Sequence, residues 1–135
     1  MEYLFVYGTL TQSSAHPMAE FLRGNCQFVE KAYVHGRLYL VTDYPGLVLS
    51  KNSQQRVIGN IYGTSKMDNV LKVLDDYEEV GPGFPYPQEY KREHISAYNK
   101  KAQQAFQCWA YIYNFPTDNL KLIQSGDFGD FMENH

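Results

Sequence analysis

Four carboxylates crowd into positions 75–79, Asp75-Asp76-Tyr77-Glu78-Glu79, at the end of the clearest amphipathic run in the chain. Apolar residues recur at Met67, Val70, Leu71, Leu74 and Tyr77, which is the spacing of one helical face. At roughly 100° of rotation per residue, Glu78 falls roughly 40° from the centre of that face. Glu79 lies well off it and Asp76 lies opposite. A carboxylate turned toward the packed side of a helix is costly to desolvate. Burial and the negative end of the helix dipole both favour its protonated form, which suits a general base working near neutral pH. The competing reading is that the helix ends before Glu78 and all four acids are solvated, since periodicity decides least at helix ends.

Val6-Tyr7-Gly8-Thr9-Leu10 is a second candidate. A central strand running into a glycine and a hydroxyl residue makes a turn whose backbone N–H groups, over Tyr7, Gly8, Thr9 and Leu10, can converge on an anion. An ordinary turn at a strand end is the plainer alternative. In Tyr90-Lys91-Arg92-Glu93-His94, strand alternation puts Tyr90, Arg92 and His94 on one face. Arg92 there meets an acid near the helix end, an anionic ligand, or solvent. Ser125-Gly126-Asp127-Phe128-Gly129-Asp130 lacks the full ligand set of a calcium loop and reads as a turn. The histidines at 16, 35, 94 and 135 and the two cysteines have no metal-ligand spacing. There is no nucleophile elbow, phosphate loop or dinucleotide fingerprint. Chemistry that needs neither metal nor cofactor remains.

The elements that position these residues follow from local pattern. Tyr3 to Tyr7 is apolar on both faces, as a central strand covered on two sides should be. Ser13 or Ser14 caps a short helix from about His16 to Leu22, with Pro17 in its first turn and Gly24 closing it. Strand-like runs follow at Phe28 to Val34, Gly36 to Val41 and, after a turn at Asp43 to Gly46, Leu47 to Leu49. Arg56 to Tyr62 is another strand. The helix starts at Thr64 or Ser65, capped by a hydroxyl, and a breaker-rich loop over Gly81 to Pro87 follows it. Tyr90 to Ala97 and Ala105 to Tyr113 form a hairpin, and a turn of helix lies around Leu120 to Gln124. Strands outnumber helices and interleave irregularly with them, which implies α+β with a mixed sheet able to curl into a small barrel.

The 135 residues are 44% apolar and 20% charged, within the range of ordinary globular domains and against disorder or a membrane-embedded chain. With no internal repeat or linker, one domain over 1–135 is expected. A net charge of -3 argues against a nucleic-acid partner. Cys26 and Cys108 build no disulfide framework, and the N-terminal run MEYLFVYGTL reads as neither signal nor span, so a cytoplasmic location and no membrane partner are expected. Twelve tyrosines suit half-buried strands and polar-edged pockets.

These segments together resemble the gamma-glutamylcyclotransferase-like family. Val6-Tyr7-Gly8-Thr9-Leu10 after a first strand, Leu74-Asp75-Asp76-Tyr77-Glu78 closing a helix and Tyr90-Lys91-Arg92 opening the next strand carry the resemblance. Gly36-Arg37-Leu38-Tyr39, Tyr44-Pro45-Gly46-Leu47-Val48, Val57-Ile58-Gly59-Asn60-Ile61-Tyr62, Trp109-Ala110-Tyr111-Ile112-Tyr113 and Ser125-Gly126-Asp127-Phe128 extend it in order over nearly the whole chain. The short length is more similar to the gamma-glutamylamine branch than to the glutathione-degrading one. The resemblance implies a small α+β domain with a mixed barrel, flanking helices and a pocket at one side. It implies that Tyr7 to Leu10 hold the glutamyl group of a small gamma-glutamyl substrate mainly through the backbone, and that Glu78 is the base. The glycine that usually follows the family's acid is Glu79 here. The implied reaction closes the glutamyl part to 5-oxoproline and frees an amine, without a cofactor. A non-catalytic small-molecule-binding module of the same fold is the rival from another class.

Overall fold

Strand β1 (Glu2–Val6) lies in the middle of the sheet, paired antiparallel with β4 (Arg56–Thr64) and parallel with β6 (Ala105–Tyr113). Phe5 packs with Val57, Ile61 and Cys108, while Leu4 and Val6 join the layer on the opposite face. That division is what a strand apolar on both faces requires. The computed structural model describes residues 1–8, 16–101 and 104–133.

β2 (Gln27–Leu40) pairs with β4 along one edge and with β5 (Tyr90–Asn99) along the other, and β5 pairs with β6. The order β2-β4-β1-β6-β5 therefore closes on itself as a five-stranded mixed barrel, the seam being made by Ala32 opposite Asn99 and Tyr33 opposite Tyr98. Closure removes exposed ladder groups that would otherwise need covering. β3 (Pro45–Leu49) and β7 (Lys121–Leu122) pair with the far half of β2, outside this ring. Among the described residues three helices flank it: α1 (Pro17–Asn25), α2 (Met67–Glu78) and α3 (Phe128–Glu133). The fold is α+β, a mixed barrel with flanking helices.

α2 buries Met67, Val70, Leu71 and Leu74 against Leu4, Val6, Leu22 and Tyr62. Each such side chain contributes about 1.5–3 kcal/mol of burial free energy, which clamps α2 on the outside of the β1/β6 region. The helix ends in a Schellman pattern. Val80 N–H donates to the Asp75 carbonyl at 2.8 Å, Glu79 N–H donates to the Asp76 carbonyl at 3.3 Å, and Glu79 takes the left-handed conformation (φ 56°).

The structure corrects several expectations. The two runs at 28–34 and 36–41 are one strand, β2, which exchanges β4 for β3 as its partner around His35 and Gly36. A Cβ at Gly36 would stand 2.7 Å from the Val48 carbonyl, so the glycine admits β3 rather than breaking the strand. α1 is capped by His16, whose Nδ1 accepts from Met18 N–H at 3.1 Å, and it runs past Gly24 to Asn25. Ser13 and Ser14 lie outside the described residues. α2 starts at Met67 with no side-chain cap, and Thr64 Oγ1 instead accepts from Lys66 N–H at 3.1 Å. The segment around Leu120 to Gln124 holds the short strand β7, because the β2 edge takes up its backbone. Where a turn was expected at 125–130, Asp127 Oδ1 accepts from Asp130 N–H at 3.1 Å and α3 begins at Phe128.

Candidate active site

A cavity of about 470 Å³ opens where the end of β1, the start of α1, the turn before β3, the end of α2 and the entry to β5 converge. Val6, Tyr7 and Gly8 supply one wall, Tyr77, Glu78 and Glu79 a second, and Asp43, Tyr44 and Pro45 a third. Phe5, His16, Glu89, Tyr90 and Tyr111 line the remainder.

Tyrosine hydroxyls bolt these walls together. Tyr7 donates to the Tyr111 carbonyl at 2.6 Å and accepts from Leu47 N–H at 3.3 Å. Tyr90 donates to the Pro45 carbonyl at 2.7 Å. Tyr111 donates to Asp75 Oδ1 at 2.7 Å, and Arg92 Nη1 meets the other oxygen, Asp75 Oδ2, at 2.6 Å. Burial raises the pKa of Tyr7, Tyr90 and Tyr111 well above the usual phenol range, so all three remain donors. His16 Nδ1 serves as an acceptor, so a neutral ring carries its proton on Nε2, 2.9 Å from the Tyr77 hydroxyl. That contact joins the start of α1 to the end of α2.

Glu78 is the exception in this bonded wall. Among the described residues no hydrogen bond reaches its carboxylate. Its pKa is pushed up from 4.5 to about 7, first by burial and second by the negative charge of Glu89. Glu89 accepts a hydrogen bond from the Tyr44 hydroxyl, so these two of the cavity's carboxylates differ: Glu89 is anchored and Glu78 is open. A half-buried carboxylate that titrates near neutrality and is not committed to a donor can exchange a proton with a bound molecule.

Of the residues singled out in the sequence, Glu78, Tyr7 and Gly8 line this one cavity. Thr9 and Leu10 lie outside the described residues. Arg92 is not among the lining residues. Its guanidinium is taken by Asp75 and stacks 5.0 Å over Trp109, so it reaches the cavity only through Asp75 and Tyr111. Gly8 also has a packing reason to be glycine, since a Cβ there would lie 2.8 Å from Pro45 Cγ. Sequence reasoning missed Glu89, Tyr44 and the role of Asp75. Asp75 was accessible in principle, because it sits roughly 100° from the centre of α2's packed face, at the flank where a side chain reaches the neighbouring sheet. Glu89 and Tyr44 are 45 residues apart in loops, and only the barrel topology brings them together.

Among the described residues no cluster of His, Cys, Asp and Glu has metal-site geometry, and no helix is long and apolar enough to cross a membrane. The family model described as gamma-glutamyl cyclotransferase, AIG2-like, matches residues 4–130. The Escherichia coli (strain K12) gamma-glutamylcyclotransferase family protein YtfP is 33% identical over 131 residues, covering 94% of this chain and 96% of its own. The solution structure of Escherichia coli ytfP superposes with a TM-score of 0.61 at 29% identity, over 96% of this chain and 98% of that one. A crystal structure of a Pyrococcus horikoshii protein shares the fold, with a TM-score of 0.67 at 18% identity over 100% and 96% of the two chains.

Proposed function

Because this chain belongs to the gamma-glutamyl cyclotransferase, AIG2-like family, we propose that it converts a small gamma-glutamyl amine to 5-oxoproline and the free amine, with Glu78 as the general base. The observation that carries this reading is the open Glu78 carboxylate, held near neutrality in the cavity that Tyr7 and Gly8 also line.

The substrate supplies its own nucleophile. Its α-amino nitrogen attacks its γ-carbonyl carbon, the lactam C–N bond forms, and the bond to the leaving nitrogen breaks. Two protons pass from the attacking nitrogen to the leaving one, and no water is consumed. Ionised Glu78 takes a proton from the α-ammonium and returns it to the departing nitrogen. The second proton, shed by the attacking nitrogen as the lactam bond forms, follows the same route to leave the amine as its ammonium. Holding the glutamyl chain folded for ring closure is the larger contribution, since positioning of this kind supplies up to roughly 7–11 kcal/mol. The backbone from Tyr7 through Thr9 and Leu10 holds the substrate carboxylate or the developing oxyanion. Arg92 acts from behind this wall, fixing Asp75 and with it Tyr111 and the last turn of α2. Neither a metal nor a nucleotide is needed for these steps.

The test is release of 5-oxoproline from a panel of gamma-glutamyl amines, gamma-glutamyl amino acids and glutathione. Release from at least one, abolished in Glu78→Gln, is the expected result. Binding of panel members without release would make the protein a non-catalytic binding module of the same fold.

A further inference from the structure

The charge of the cavity specifies which amine leaves, an inference that rests on the cyclotransferase reading. Glu78, Glu79, Glu89 and Asp43 all line the cavity, and no lysine or arginine does among the described residues. The segment 9–15, Thr-Leu-Thr-Gln-Ser-Ser-Ala, contains none either. Arg92 behind the wall is committed to Asp75. A bound glutamyl group brings one ammonium and one carboxylate of its own, so it leaves this negative excess in place. A leaving group that carries a carboxylate, as an amino acid or peptide does, enters against it.

Two of these carboxylates, Glu78 and Glu89, are half-buried while Glu79 and Asp43 are exposed, and the settings of the half-buried pair differ. Glu78 is open and meets the α-ammonium as base. Glu89 is fixed by the Tyr44 hydroxyl, and the Tyr44 and Tyr90 rings stand 6.5 Å apart beside it. An anchored carboxylate bordered by aromatic rings is suited to receive an ammonium group, by charge-assisted hydrogen bonding and by attraction to the ring faces. We propose that Glu89, oriented by Tyr44, selects gamma-glutamyl conjugates whose leaving amine carries a second positive charge, such as a simple diamine. Glu89 is then a specificity residue, distinct from the base.

Three conjugates of matched length test this: the gamma-glutamyl derivatives of a four-carbon α,ω-diamine, of pentylamine, and of the five-carbon ω-amino acid. They end in ammonium, methyl and carboxylate. Their kcat/KM values for 5-oxoproline release are compared as ratios within one protein, at a pH well above the Glu78 titration, which cancels effects on the base. The wild type should favour the diamine conjugate over the pentylamine conjugate by about tenfold or more, the size expected for a hydrogen bond to a charged group. It should disfavour the ω-amino acid conjugate. Glu89→Gln should collapse the first ratio toward unity. Equal ratios in the wild type would overturn the proposal while leaving the cyclotransferase reading intact. So would a Glu89→Gln protein that weakens all three conjugates equally, because Glu89 would then serve the shared glutamyl part. If none of the three releases 5-oxoproline, the wider panel decides the reaction reading separately, and calorimetric titration with the three free amines decides the subsite. Preference for the diamine that disappears in Glu89→Gln supports it, and indifference to charge overturns it.

Discussion

The two faces of β1 look alike in sequence and do different work. Inside the barrel, Phe5 meets Val34, Val57, Ile61, Cys108 and Ala110, a filled interior in which Tyr7 is the one tyrosine of the buried set. On the outer face, Leu4 and Val6 share their layer with Tyr62, Tyr90, Tyr111 and Tyr113 under α2. The interior packs side chains densely with almost no polar atoms to satisfy. The outer layer spends hydroxyls on bonds to backbone and to Asp75, and it leaves a cavity at its edge. A dry interior supplies stability, while the tyrosine-rich layer supplies rigid walls with polar edges, where a carboxylate can be held half-buried. Substitutions should therefore separate into those that lower stability and those that lower turnover.

The largest effect is expected on the catalytic side. Glu78→Gln keeps the shape and removes proton acceptance, so turnover should fall roughly a hundred- to ten-thousand-fold while the thermal transition is preserved. The same substitution should also change the pH dependence of stability. A folded-state pKa of about 7 against 4.5 means the native protein holds the Glu78 proton more tightly than the unfolded chain does. The resulting stabilisation is complete below pH 4.5 and is lost as pH rises through about 7, and chemical denaturation across that window should show the slope disappear in Glu78→Gln. On the other face, Ile61→Ala should cost about 2–5 kcal/mol in denaturant titration with kcat of the folded protein nearly unchanged. A loss of kcat without a loss of stability there would break the comparison.

Smaller effects sharpen it. Glu79→Gly relieves a side chain from the left-handed region at the end of α2 and should stabilise the fold by about 1 kcal/mol. Tyr111→Phe removes one hydroxyl from Asp75 and should cost about 1 kcal/mol in stability, with a fall in kcat beyond what unfolding explains. Glu89→Gln removes the second cause of the raised Glu78 pKa, so the acid limb of the rate profile should move to lower pH by less than about one unit, burial being the larger cause.

What was legible in the sequence was what periodicity encodes. The two-faced pattern of β1, the α2 stripe and the hairpin of β5 and β6 all follow from local alternation, and the inward turn of Glu78 follows from carrying the helical period one residue past Tyr77. The glycine missing at position 79 could be noted only through the family resemblance. The structure supplies its physical meaning, a Schellman closure that Glu79 completes at a positive φ. What was not legible depends on topology. His35-Gly36 looked like a break because a strand exchanging partners has the same local signature as a strand ending. Lys121 and Leu122 are a strand only because the β2 edge is there to receive them. Glu89 and Tyr44 carry no motif, and their pairing exists only once β2 and β5 have closed the barrel.

The most direct test is the pH dependence of 5-oxoproline release by the wild-type protein from a gamma-glutamyl amine. The base must be ionised to act, so kcat/KM, which follows the ligand-free protein, should rise with pH along a single-proton limb centred at about 7, the position that burial and Glu89 give Glu78. A limb centred near the ordinary glutamate value of 4.5, or a rate flat across this range, would contradict Glu78 as the base.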